Sequence, residues 1–447
     1  MAPSALTTFD EYQPNLIIPE TVKLFESAPI NHGGHHSKSE SHQLISDALK
    51  SRIDDVDHDT CEAGDEDAFF VADLGEVYRQ HMRWKRCLPR VKPHYAVKCN
   101  PDPQVLRLLA ELGTGFDCAS KGEIEQVLGM GIEASRIIYA QPCKTKSHLR
   151  YAAKSGVKQM TFDNVDELYK AKQLFPGAEL FLRISTDDSA SLCQLSLKFG
   201  AALHCTRELL ELARSLELNV VGVAFHVGSG ASDPGAFLKA VQDAKSVFDM
   251  AAELGFNMHT LDVGGGFCTE TFEQMAGVLA EALDACFPPH IRVIGEPGRY
   301  YVSNAFTLAC HVIARRPVYD PTLDITSYML YLNDGVYGNF SSIIFDHQNP
   351  IPRILKVGQT FMYGSVKSGY DTPTATEYSI WGPTCDGIDV ISKSCSFSNV
   401  LDIGDWMYFE DMGAYTKCSA TRFNGFTDQH DVVYVSSEAG AAALLGL

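Results

Sequence analysis

Eight short runs rich in β-branched and aromatic residues punctuate the chain between His94 and Pro297. They are HYAVK (94–98), FDCA (116–119), IIYA (137–140), QMTF (159–162), LFLRI (180–184), VVGVAFHV (220–227), HTLDV (259–263) and RVIGEP (292–297). Between them lie amphipathic helical segments such as PDPQVLRLLAELG and NVDELYKAKQLF. A strand that follows a crossover helix pairs in parallel with its predecessor, so the rhythm predicts a parallel sheet. Eight strands are the number that closes a (β/α)8 barrel; a doubly wound open sheet is the alternative. The polar residues favour the barrel. Lys98 ends the first run, Asp117 sits in the second and Arg183 nearly ends the fifth. His226 closes the sixth, Gly264, Gly265 and Gly266 follow the seventh, and Glu296 and Arg299 follow the eighth. All fall toward the carboxyl ends of strands, the rim on which a barrel builds its chemistry.

The flanks differ from this core. After about residue 312 strand-like runs (SYMLYLN, TEYSIWG, WMYFEDMG, DVVYVSS) are separated by turn residues, which predicts a second, mostly antiparallel β domain over 312–447. The barrel is expected over 68–311. Residues 1–67 read as a mobile N-terminal extension and acidic linker, with eight acids between 54 and 67. A strand near Leu16 to Leu24 is the part expected to dock on the β domain. His32, His35, His36 and His42 have no carboxylate or thiol spaced to complete a site with them, so no metal is expected.

Composition bounds the setting. With 45% hydrophobic and 21% charged residues the chain is an ordinary globular one. No apolar run reaches about 18 residues, so no transmembrane helix is expected. MAPSALTTFDEYQPNL lacks a basic stretch followed by an apolar block, so no secretory signal is expected either. The 13 cysteines include no CxxC pair and read as reduced thiols, which points to the cytoplasm. The net charge of −19 argues against nucleic acid and suits a cationic small molecule, although solubility alone also explains it.

Three rim features carry chemistry. DVGGGF exposes backbone N–H groups at a strand end, which is how a chain cradles a phosphate or simply turns tightly. Lys98 lies in an apolar stretch; burial would depress its pKa and free the amine for a Schiff base, unless the side chain snorkels to the surface. Glu296, beside Arg299, is placed to hold a pyridinium nitrogen protonated, or to form a plain ion pair. Lysine, phosphate cradle, carboxylate and the nearby His226 together make the set that pyridoxal 5'-phosphate requires.

The segments PHYAVKCN, GFDCASKGEI, LRISTDDS, FHVGSG, DVGGGF, EPGRYYV, LNDGVYGNF, FDHQ, WGPTCDGIDVI and GDWMYFEDMGAYT resemble those of the eukaryotic, fungal-like ornithine decarboxylases. These are pyridoxal-phosphate enzymes with an alanine-racemase-like barrel. The likeness spans residues 68 to about 426, and no long C-terminal degradation tail is expected beyond it. The resemblance implies that Lys98 binds the cofactor, His226 stacks on its ring and Glu296 pairs with the ring nitrogen. It implies that Ser229, Gly265, Gly266, Arg299 and Tyr415 hold the phosphate, and that Asp117 and Arg183 form polar support near the lysine. Asp346 and Asp386 would bind the distal amine of the substrate, with Phe345 as an apolar wall where animal members place tyrosine. Cys385 and Asp386 would come from the partner subunit of a homodimer with interface active sites, Cys385 acting as proton donor.

The implied reaction is decarboxylation of L-ornithine to putrescine and CO2, the first step of polyamine biosynthesis. It runs through a carbanion that Cys385 protonates. The same scaffold serves decarboxylases of lysine, arginine and diaminopimelate, and non-catalytic regulators of the antizyme-inhibitor type. The segment from Lys146 to Lys172, rich in lysine, arginine and histidine, lies where relatives bind antizyme; an ordinary solvated helix face reads the same way.

Overall fold

In the computed structural model, residues 34–322, 325–364 and 375–446 are described. All eight predicted strands are present: β1 (Val91–Ala96), β2 (Gly115–Cys118), β3 (Ile137–Tyr139), β4 (Gln159–Phe162), β5 (Glu179–Arg183), β6 (Asn219–Ala224), β7 (Thr260–Asp262) and β8 (Arg292–Gly295). Each pairs in parallel with the next, and β8 pairs with β1, which closes the barrel. An open sheet is thereby excluded. Ile138, Phe181, Val221, Ala224 and Ile294 form a buried cluster contributed by four of the strands. The helices between strands bury apolar faces: that of Pro103–Glu111, capped by Asp102, buries Val105, Leu106, Leu108 and Leu109.

The second unit is a nine-stranded sheet, antiparallel except where Ile325–Leu332 meets Thr376–Trp381 and where Phe69–Asp73 meets Val432–Val435. Its composition shifts the expected boundaries. Phe69–Asp73 pairs with Phe306–Ala309, so it belongs to this sheet and not to the barrel. The 15-residue strand Phe306–Asp320 runs straight through the expected break at 311/312. Asp73 ties the two chain ends together. Its carboxylate accepts hydrogen bonds from Ser41, Gly75, Arg79 and Ser437 while capping the helix Leu74–Cys87.

The expected mobile extension is corrected in part. Gly34–Asp54 is a helix whose Ile45, Leu49 and Ile53 are buried against Phe69, Val71, Leu355, Tyr363, Trp406 and Tyr408. An apolar residue every fourth position is enough to seat one helical face on a sheet. The segment Leu16 to Leu24 and His32 lie outside the described residues, as do the side chains of His35 and His36. His42 packs its ring on Tyr363, 4.6 Å between centroids. Among the described residues no helix is long and apolar enough to cross a membrane.

Candidate active site

The barrel rim gathers most of the predicted residues, those of the barrel itself because each lies at or just past the carboxyl end of a strand. Lys98 sits in the 3-10 turn Val97–Cys99 just past β1, and its Nζ hydrogen-bonds to Asp117 on β2. The sequence reading expects burial to lower the Lys98 pKa, and here the structure differs. Burial does pull it down, but Asp117 and then Glu296 offset that effect and hold the amine above the ordinary lysine range. Glu296 follows β8 and is buried. Burial, then Asp262 and Asp117, push its carboxyl well above the usual value, and its Oε1 has no partner. Arg183 ends β5 with its guanidinium 5.3 Å from the Phe199 ring centroid.

His226 lies just beyond β6. Its Nδ1 accepts the Gly228 N–H at 3.0 Å, which assigns the ring proton to Nε2. Burial, Arg183 and Lys98 all lower its pKa, so the imidazole is neutral. The glycine run turns tightly beside it. A Cβ at Gly265 would sit 2.7 Å from the Glu296 carbonyl oxygen and 2.9 Å from His226 Nε2. One at Gly266, where φ is +103°, would sit 2.6 Å from the Gly228 carbonyl oxygen. Only glycine fits this approach of three strand ends.

Arg299 reaches across the rim. Its Nη2 lies 3.3 Å from Ser229 Oγ and its guanidinium carbon 5.2 Å from the Tyr415 ring centroid. Tyr415 adopts φ +56°, and its N–H donates to the Cys99 carbonyl at 3.0 Å. That backbone conformation is uncommon for an aromatic residue and marks a constrained position at the rim. Arg299 also binds both oxygens of Asp346 at 2.6 Å. The two residues assigned to phosphate and to substrate amine are therefore paired with each other.

Three expected residues lie apart from this rim cluster. Cys385 is exposed, its N–H donating to Asn424 Oδ1 at 3.0 Å. Asp386 is half-buried and accepts from the Tyr337 hydroxyl and the Ile388 N–H; these bonds lower its pKa and keep it ionised. Phe345 and Asp346 differ sharply in their surroundings. Phe345 is 66% exposed where Asp346 is 5% exposed. The residues flank the end of the short helix Ser342–Phe345, where successive side chains point about 100° apart.

The sequence reading missed Asp262, Cys193 and Tyr337. Asp262 ends β7, is raised to about 6 chiefly by burial, and accepts the Gly264 N–H at 2.9 Å, bracing the glycine turn. Its position directly before VGGG is the signal that could have singled it out. Cys193 Sγ lies 3.6 Å from Asp346 Oδ1, a contact between residues 153 positions apart that no motif announces. Tyr337, which holds Asp386, sits inside LNDGVYGNF.

The donor set fits pyridoxal phosphate. An amine stands on the rim at Lys98, and a buried carboxylate oxygen of Glu296 lacks a partner. Arg299 Nε is also buried and unpartnered, beside a glycine turn with no room for a side chain.

Residues 74–303 match the family model described as "Pyridoxal-dependent decarboxylase, pyridoxal binding domain". The chain is 63% identical to an ornithine decarboxylase of Neurospora crassa over 93% of this chain and 90% of that protein. It is 48% identical to antizyme inhibitor 2 of Xenopus laevis over 90% of this chain and 88% of that one. Among solved structures it is similar to the arginine decarboxylase of Paramecium bursaria Chlorella virus bound to agmatine. The TM-score there is 0.78 at 34% identity, covering 88% of this chain and all of that one.

Proposed function

Because this chain belongs to the pyridoxal-dependent decarboxylases, and among them to the ornithine decarboxylases, it converts L-ornithine to putrescine and CO2 with pyridoxal phosphate; we propose the following roles for its residues. The observation that carries them is the convergence of Lys98, Glu296, His226, the glycine turn and Arg299 on one barrel rim.

Bound there, pyridoxal phosphate supplies the electron sink that lets the bond between Cα and the carboxylate break. Lys98 supplies the amine that holds the cofactor, with Asp117 keeping the amine in place and Arg183 adding charge nearby. Glu296 holds a proton on the ring nitrogen; a buried carboxyl whose neighbours are carboxylates is stabilised by a cation beside it. His226, neutral and with Nδ1 tied to Gly228, offers its ring face without adding charge. Arg299, Ser229, the N–H groups around Gly265 and Gly266, and Tyr415 hold the phosphate.

The substrate's distal ammonium is bound by Asp346 and Asp386. Two carboxylates placed together repel, and a cation between them removes that cost. A substrate lacking the distal amine leaves Asp386 without a cation and Asp346 with Arg299 alone, and is strongly rejected, whereas lysine, one methylene longer, is disfavoured by roughly 1–3 kcal/mol. Cys385 delivers a proton to Cα. Cys385 is exposed and Asp386 half-buried, and among the contacts above they bond only to their own domain's Asn424, Tyr337 and Ile388, which supports their serving the rim of a second copy. The functional unit is then a homodimer with two sites at its interface, and the exposed Phe345 ring faces outward from each copy. All thirteen cysteines are free, which fits a reducing cytoplasm.

A regulatory partner of the antizyme type is part of this reading. It is supported by the likeness to antizyme inhibitor 2 and by the solvent-facing Lys146, Arg150, Lys154 and Lys158 on and after the helix Lys146–Ser155. Product identification tests the function directly. Purified chain with added pyridoxal phosphate should release CO2 and putrescine from ornithine, faster than it acts on lysine or arginine. Preference for either of those would overturn the substrate assignment.

A further inference from the structure

One group of ligating side chains lies outside the chemistry above. His58, Glu66 and His311 bring two ring nitrogens and a carboxylate oxygen within 4.8 Å of one another. His58 Nδ1 is 2.8 Å and His311 Nε2 3.7 Å from Glu66 Oε2. Cys61 Sγ approaches the same oxygen at 3.9 Å. We propose that these four side chains form a zinc site that fastens the acidic linker to the β domain.

Two imidazoles, a carboxylate and a thiol are the donors zinc selects, and four is the number its structural sites use. Calcium and magnesium require several oxygen ligands, and this set offers a single carboxylate. The order of ligands follows the same logic. His58, Cys61 and Glu66 come from one short loop, and His311 comes from the distant strand Phe306–Asp320. His311 is 4% exposed, and its Nδ1 lies 3.1 Å from the Glu66 carbonyl oxygen. A carbonyl only accepts, so Nδ1 carries the proton and Nε2 presents its lone pair to the cluster. Fixing a ligand's tautomer through its other nitrogen is how metal-binding histidines are oriented.

The surroundings are already built. Asn333 Nδ2 donates to the Glu66 carbonyl at 2.9 Å and thereby holds the loop against the sheet. The His58 and His311 rings lie 4.8 Å apart, and both pack on Trp406, at 5.9 and 5.2 Å. A simple ion pair would need one histidine and one carboxylate. The second imidazole and the thiol at the same oxygen are what a cation explains. The linker holds eight acids in fourteen residues, and a divalent cation at its hinge to the sheet offsets their mutual repulsion.

Cobalt(II) serves as the probe on the chelator-stripped full chain. One equivalent should bind with the visible bands of a four-coordinate site, quench Trp406 emission and be displaced by zinc. Zinc should raise the unfolding midpoint by a few degrees. His58→Ala and Glu66→Gln, both at partly exposed positions, should weaken binding at least about tenfold and abolish the midpoint shift, and Cys61→Ser should shift the cobalt bands. Absence of cobalt binding would overturn the proposal. So would binding unchanged in His58→Ala and Glu66→Gln, because the metal would then sit elsewhere, such as the histidine-rich segment 31–42.

Discussion

Arg299 holds Asp346 through both carboxylate oxygens at 2.6 Å, with both side chains buried on the barrel rim. The pair joins a residue assigned to the cofactor phosphate with one assigned to the substrate amine. Phosphate and Asp346 are both anions, so they compete for the same guanidinium.

Asp346→Asn separates the two roles. It should raise the KM for ornithine roughly 10–100-fold, the loss of a charged hydrogen bond. Cofactor affinity should hold or improve, since Arg299 is released from its carboxylate partner. Steady-state kinetics and an absorbance titration with pyridoxal phosphate measure the two quantities separately. Parallel loss of both would mean that Asp346 supports the cofactor site and not the substrate.

Asp117 sets the protonation of Lys98. Burial lowers the Lys98 pKa, and Asp117 is the largest influence raising it. Asp117→Asn removes that anion and leaves burial to dominate, so the amine gives up its proton at lower pH. The pH at which Lys98 is half-captured by pyridoxal phosphate should fall by about one to three units. A pH series of capture rates, followed by absorbance, checks this; an unchanged midpoint would assign the lysine's protonation to Glu296 instead.

A shared site predicts complementation. Lys98→Ala and Cys385→Ala should each be nearly inactive alone. Mixed at equal amounts under conditions of verified exchange, they should recover about a quarter of the wild-type rate, because half the dimers contain one intact site of two. No recovery would place Cys385 outside the partner's site.

Acid stability follows from a buried histidine. His81 is held neutral, lowered to about 4 chiefly by burial, while an unfolded imidazole takes its proton near 6.5. Between those values the unfolded state binds more protons. Stability is therefore complete above pH 6.5 and declines as the pH falls toward 4. His81→Gln removes that titration. It should flatten the decline by an amount on the order of 3 kcal/mol, read from denaturant midpoints at pH 7 and pH 4.5.

The barrel was legible because each of its strands is a compact β-branched or aromatic run, and because Lys98, His226 and Glu296 punctuate strand ends. The β domain was less so. Arg315, Arg316 and Pro317 interrupt the pattern of Phe306–Asp320 and hide that it is one long strand of the β domain, begun before the expected boundary. Gly34–Asp54 begins with GHHSKSES, a polar stretch that masks the three buried residues Ile45, Leu49 and Ile53. Asp262 was lost inside HTLDV, where a strand reading leaves no reason to single out one carboxylate. The Arg299–Asp346 pair could not be read at all, because 47 residues separate partners that only the packing of the β domain on the barrel rim brings together. Phe345 and Asp346 failed in the opposite sense: adjacent in sequence, they differ sharply in exposure at a helix end.

Lys98 is the proposed covalent anchor of pyridoxal phosphate in this ornithine decarboxylase. Borohydride reduction of the cofactor-loaded chain, followed by peptide mass spectrometry, tests it most directly. A single pyridoxyl label should appear on the peptide containing Lys98, with putrescine formation abolished by the same treatment and no label in Lys98→Ala. A label on another lysine, or an unlabelled chain that still makes putrescine, would contradict it.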